Sequence, residues 1–191
     1  MNILALDPAT SCGWCVWTPE TDYIWGVKKY PKPRSNYAAN RLDGVERFTS
    51  FYKDVDALIK QYKIQSLAVE HNIMPDRSEA NSDLAFSWLT MIRIVCHNAK
   101  IEPAFKYTTG QWRSINFGDQ NKVAPKHLKP PQKREWYKAR SIQKCQDLGY
   151  QIYNDDEAEA LLLCRAHRIT LDPKLAYEAG QSTRHQEELL I

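Results

Sequence analysis

The 191 residues hold no apolar run long enough to cross a bilayer, and the first residues lack a basic region followed by a small-residue cleavage site. These absences predict a cytoplasmic protein with no membrane partner. The five cysteines are an odd number scattered through apolar segments, which fits reduced, buried thiols rather than a disulfide framework. Cys12 and Cys15 have the spacing of a redox pair, but they border a turn into a strand, where alternation separates their side chains. No second pair stands at ligand spacing, which argues against zinc. A Gly-rich phosphate loop, a nucleophile elbow, a dinucleotide fingerprint and an internal repeat are also missing. What remains is the composition of an ordinary globule, 43% hydrophobic and 26% charged, and a length that suits one domain with helices layered over a sheet.

The net charge of +3 is mild, but it is unevenly spread. Between Lys122 and Lys144 stand eight Lys and Arg against one acid, Glu135, leaving the rest of the chain with 18 basic and 22 acidic residues. Such a local excess suits a phosphate backbone, although a solvated basic face that binds nothing has the same composition. Lys122, Lys126, Lys129, Lys133, Arg134 and Lys138 are the candidate DNA contacts, in a loop and the first turns of a helix with almost no acidic partners in sequence. Arg134 and Lys138, four apart, share a helical face, and Trp136 is expected to anchor that helix to the core.

The segment that organises the chain is MNILALDPATSCGWCVW, residues 1–17. Ile3 to Leu6 form an apolar run ending on Asp7; a turn through Pro8, Ser11 and Gly13 leads to a second strand, Trp14 to Trp17, and a third spans Tyr23 to Tyr30 before Pro31 and Pro33. From about Tyr37 the period changes, and Leu42, Val45, Phe48, Thr49, Tyr52, Val55, Leu58, Ile59 and Tyr62 predict a helix. Gln65 to Glu70 reads as a strand covered on both faces, again ending on an acid. A loop through Met74 and Pro75 precedes a helix over 78–98 striped by Leu84, Trp88, Met91, Ile92 and Val95. A short strand follows over 101–107, then a short helix capped by Thr109 that contains Trp112 and Ile115, a loop over 117–131, a basic helix over 132–148, and a final helix over 156–167. The order β-β-β-α-β-α-β-α plus two helices predicts an α/β fold with a mixed central sheet and helices on both faces. Residues 171–191 read as a loosely packed tail.

Asp7 and Glu70 each end an apolar strand, and Asp156 and Glu159, three apart, share one face at the start of a helix. Caps and surface salt bridges account for such acids individually, and Asp155 or Asp156 at a helix start needs nothing more. Glu159 is harder to dismiss, since it shares a face with Ala160 and Leu163, where a lone charge is costly. Four such groups together form a hard oxygen donor set for Mg²⁺ or Mn²⁺, with two ions held about 4 Å apart on a phosphodiester. Sugar hydrolysis by paired carboxylates is the other chemistry open to them.

From Met1 to about His167 these segments resemble the RuvC family of Holliday-junction resolvases, within the RNase H-like superfamily. ILALDPATSCGWCVW is similar to the family's first motif and supplies Asp7. LAVEHNIM is similar to its second and supplies Glu70, and DEAEAL is similar to its last and supplies Asp156 and Glu159. The chain departs from the pattern at Ala9 for glycine, His71 for glutamine and Glu159 for aspartate. Trp88, Met91, Ile92 and Ile94 stand where the second helix usually carries small residues, and the richer basic stretch suggests a divergent, phage-type member.

The resemblance implies an RNase H-like nuclease domain over 1–170 with a tail over 171–191, acting in bacterial or phage-infected cytoplasm. It implies a homodimer on branched DNA that resolves four-way junctions by paired symmetric nicks, each site using two Mg²⁺ ions (or Mn²⁺) held by Asp7, Glu70, Asp156 and Glu159. A flap- or branch-cutting nuclease of the same fold and a catalytically silent DNA-binding scaffold are the alternatives. An actin-like ATPase domain shares the opening strand but needs a second lobe. His167 reads as a surface residue near a helix end or as a hydrogen-bonding helper of the site, and His71 as pointing away from Glu70. A junction wedge at Met74 and Pro75 is a weaker expectation.

Overall fold

The computed structural model describes residues 1–30, 39–71, 79–118, 123–172 and 174–177. Along the chain run β1 (Ile3–Asp7), β2 (Ser11–Thr18), β3 (Asp22–Lys29), α1 (Ala39–Tyr62), β4 (Ser66–Glu70), α2 (Glu79–Ala99), β5 (Phe105–Tyr107), α3 (Thr109–Phe117), α4 (Pro130–Asp147) and α5 (Asp155–Leu171). The element order is the expected one. The sheet is mixed, in the order β3-β2-β1-β4-β5. β1, β2 and β3 form an antiparallel meander, and β1, β4 and β5 run parallel.

Alternation along the strands divides the core in two. Leu4, Leu6, Cys12, Val16, Leu67 and Val69 face one side, where Phe51, Val55 and Ile59 of α1 and Trp88, Leu89, Ile92 and Val95 of α2 cover them. Ile3, Ala5, Cys15 and Ala68 face the other side and meet Trp112 and Phe117 of α3, Cys145 of α4 and the length of α5. Cys12 and Cys15 therefore lie in different cores, as strand alternation requires. Helix α5 is buried nearly all round, from Ala158 through Ala160–Cys164 to His167 and Ile169, because it lies between the sheet and the helices α3 and α4.

Gly118 and Gly149, at φ of +73° and +90°, stand at the carboxyl ends of α3 and α4. α1 and α2 close instead on Lys63 and Lys100 with φ of +48° and +57°, and the next amides, of Ile64 and Ile101, return to the carbonyls of Ile59 and Cys96.

Several expectations are corrected. In α1 the buried stripe is Arg47, Phe51, Val55 and Ile59, while Val45 is 62% exposed. The strand expected over 101–107 is only Phe105–Tyr107, since Pro103 has no amide for a ladder. Thr108, not Thr109, caps α3, through a capping box with Gln111. α4 is anchored by buried Ser141 and Cys145; Trp136 is half-buried and stacks edge-on against Tyr137. His167 is fully buried, with Nε2 2.7 Å from the Ser66 hydroxyl and Nδ1 3.0 Å from the Tyr107 hydroxyl. Pro31, Pro33, the Met74–Pro75 loop and most of the tail, 178–191, lie outside the described residues.

One close approach fixes α5 on the sheet. A Cβ on Gly13 would stand 2.0 Å from the Asp156 carbonyl oxygen and 3.1 Å from the Ala160 Cβ. Gly13→Ala is expected to push the amino end of α5 off β2 and to cost about 1–3 kcal/mol, measured by urea unfolding; an unchanged midpoint would contradict the contact.

Burial also lowers the His167 pKa from 6.5 to about 4. Between those values the unfolded chain takes up a proton that the native protein refuses. This contribution is complete above pH 6.5 and is lost as pH falls towards 4, by roughly 3 kcal/mol in total. In His167→Gln the slope of stability against pH over this interval should drop by about one proton; an equal slope would refute the assignment.

Candidate active site

Asp7 and Glu70 are the last residues of two adjacent parallel strands, and their register sets them side by side, one step beyond the Leu6–Val69 pair. Asp7 is in phase with Ile3 and Ala5, and Glu70 with Ala68, so both carboxylates face α5. The amino end of α5 lies over the same strand ends and brings Asp156 and Glu159, one turn apart, to that face. Asn154 caps the helix, its side chain accepting from the amides of Asp156 and Glu157. The four acids read from the sequence thus converge at one end of the sheet, outside the carboxyl ends of parallel strands, where open α/β sheets commonly bind ligands.

The acids feel one another. Burial, and then repulsion from Glu70, Glu159 and Asp156, holds the Asp7 carboxyl well above its usual range, against the opposing field of Arg113. Glu159 is pushed up to about 7 by burial, with Arg113 opposing and Glu70 adding repulsion. Donors from the surrounding elements carry part of this charge. The Glu70 oxygens accept from the Thr109 hydroxyl and the Trp112 indole N–H, both at 2.6 Å. The Arg113 guanidinium meets Glu159 Oε1 at 2.8 Å. The Ser11 hydroxyl donates to Asp156 Oδ2.

Among the described residues no group of three or more His, Cys, Asp or Glu side chains is drawn together as a metal centre. Each of Glu70, Asp156 and Glu159 instead turns to a donor of its own. The chemistry of the set still fits a hard divalent cation: four carboxylates from three elements, β1, β4 and α5, share one end of the sheet, with Arg113 as the cation that opposes their repulsion. Ser11, Thr109, Trp112 and Arg113 are the contributors that sequence reading missed as site residues. Three of them lie on α3 at positions i, i+3 and i+4, so a helical face beside a strand-end acid was the available signal.

The basic segment is placed more variously. α4 packs on α5, and Lys138 meets Asp155 at 2.9 Å, so the expectation that these cations lack acidic partners fails for Lys138. Asp155 adjoins Asp156, which brings α4 close to the acids. Lys126, Lys129 and Arg134 are exposed, Lys133 is half-buried, and Lys122 lies outside the described residues. His167 is not at the site: it touches Ser66, at the opposite end of β4 from Glu70, about 13 Å away along the strand. Burial lowers the His71 pKa, and the field of Lys106 and Arg93 lowers it further.

No protein-family model matches the sequence, and no curated protein does. Solved structures do. A structure of Thermus thermophilus RuvC aligns with a TM-score of 0.64 at 17% identity, over 88% of this chain and 93% of that one. A structure of T. thermophilus RuvC in complex with Holliday junction substrate aligns with a TM-score of 0.62 at 15% identity, over 96% of this chain and 97% of that one. At such identities the likeness speaks for the fold: a mixed sheet flanked by helices on both faces, in the RNase H-like α/β arrangement that the RuvC structures share.

Proposed function

We propose that the protein is a metal-dependent, structure-selective endodeoxyribonuclease that resolves four-way DNA junctions by paired nicks. One observation carries this reading: Asp7, Glu70, Asp156 and Glu159 converge at the carboxyl ends of β1 and β4, under the amino end of α5. Asp7, Glu70, Asp156 and Glu159 would hold two Mg²⁺ ions, with Mn²⁺ substituting, and the ions when bound would activate a water and stabilise charge on the phosphodiester. The chain's own residues do the positioning. β1 and β4 set two carboxylates on rigid strand ends, and the Asn154 cap orients the first turn of α5.

The likeness to a RuvC structure solved with a Holliday junction supports the choice of a four-way substrate. A two-fold substrate in turn suits a homodimer that sets one site against each of two strands. Lys126, Lys129, Lys133 and Arg134, with Lys122, supply the phosphate contacts of a DNA arm beside the site, and Lys138 orients α4 through Asp155.

Nicking of a four-way junction should stop in excess EDTA and in Asp7→Asn. The variant should fold with stability equal to the parent or about 1 kcal/mol above it, because a carboxylate crowded by three others is removed. Retained nicking in EDTA would refute the metal requirement. Equal turnover of a linear duplex at the same salt would favour a general or branch-cutting nuclease, and junction binding without any cleavage would favour a scaffold.

Replacing Lys129, Lys133 and Arg134 together by Gln should weaken binding to every DNA shape. It should also flatten the dependence of log affinity on log salt by roughly one unit per lost contact. Parallel salt slopes with equal affinities would mark these residues as a solvated face.

A further inference from the structure

One face of α3 is turned entirely onto the acids. Thr109 and Trp112 each hold one Glu70 oxygen, and Arg113 holds Glu159. The Arg113 side chain is 13% exposed and lies between two rings, its guanidinium carbon 5.0 Å from the Trp112 centroid and 4.3 Å from that of Tyr137. Its Nε–H is buried and has no hydrogen-bond partner among the described residues. A guanidinium desolvated to this degree with one donor unsatisfied is not in its best available environment. What keeps it there is the negative charge it faces, since it is the cation that opposes the repulsion on both Asp7 and Glu159.

Resting on the metal-site reading above, we propose that Arg113 is the resident counter-cation of the acid cluster, and that a divalent ion loads by displacing it from Glu159. Arg113 and the ion compete for the same carboxylate oxygen. The charge that Arg113 balances is the charge the ions must balance: two divalent ions match four carboxylates by themselves, and Arg113 kept beside them would leave an excess of positive charge. Without a cation, α3 supplies the donors that the Glu70 and Glu159 oxygens meet. Arg113 is thus a positioning residue. It keeps the metal-free site from flying apart, and it sets the metal affinity below what four carboxylates alone would give.

The test is Mn²⁺ binding by calorimetry to EDTA-treated, full-length protein at pH 8, without DNA. Arg113→Gln should bind Mn²⁺ roughly tenfold or more tightly than wild type, the range a charge-assisted hydrogen bond can sustain. Arg113→Lys, which keeps a competing charge, should stay near wild type. In EDTA, Arg113→Gln should melt lower than wild type and gain more in melting temperature from saturating Mn²⁺. Wild-type binding with equal or weaker binding by Arg113→Gln overturns the inference and leaves the metal site standing. Absence of Mn²⁺ binding in both proteins overturns the metal site as well. Should Arg113→Gln not fold, the wild type decides, with Arg113→Lys used only for assignment: the Arg113 Nε–H resonance, absent in Arg113→Lys, should shift and lose exchange protection in step with Mg²⁺ occupancy. A resonance unmoved at saturation refutes displacement.

Discussion

The amino end of α5 can lie on the sheet only because β2 presents no side chain at Gly13, where a Cβ would stand 2.0 Å from the Asp156 carbonyl oxygen. Gly13 pairs with Asp7 in the β1–β2 register, so the point of closest approach is also the strand end that carries the first acid. Both consequences follow from one geometric fact. The apolar length of α5 seals the core against β1, β2 and β4, and its first turn delivers Asp156 and Glu159 to the strand ends where Asp7 and Glu70 project. A helix held off by one methyl group would loosen both arrangements together.

That convergence is costly, and the fold disperses the cost. Like charges brought together out of water raise one another's pKa, as Asp7 and Glu159 show. Two elements answer with donors, β2 through Ser11 and α3 through Thr109, Trp112 and Arg113, while the capped start of α5 adds a favourable dipole. A buried charge with its hydrogen bonds made costs far less than a bare one, so Glu70, Asp156 and Glu159 are each held by a donor of their own, and Arg113 also opposes the charge on Asp7.

Much of this was legible because it depends on local pattern. The apolar runs ending on Asp7 and Glu70, the change of period after Tyr37 and the Asp156–Glu159 spacing each report the face of an element, and faces are what strand and helix periods encode. Pairing partners are not encoded locally. Arg113 and Trp112 looked like ordinary residues of a short helix, because their meeting with Glu159 and Glu70 depends on how α3 leaves β5. Lys138 looked unpartnered because Asp155 is distant in sequence, and His167 looked like a residue near a helix end because the Ser66 and Tyr107 hydroxyls that hold it come from separate strands. Val45 kept the helical period yet is exposed, since the period identifies a stripe without giving the width that the neighbouring helix covers.

The acid site and the basic helix are mechanically joined through the aromatic side chains between them. Arg113 lies over Tyr137 of α4, the Tyr137 hydroxyl accepts the Ala124 amide, and Arg140 lies over both Trp136 and Phe117. Lys138 adds an ion pair from the same helix to the first turn of α5. A shift of Arg113 therefore changes what Tyr137 packs against, and through Ala124 it bears on the segment that carries Lys126 and Lys129. Cation–π contacts of this kind are worth about 0.5–2 kcal/mol each, enough to bias an orientation without locking it. The acids and the basic segment are thus connected by a continuous run of packed side chains, and Arg113 stands at its acid end.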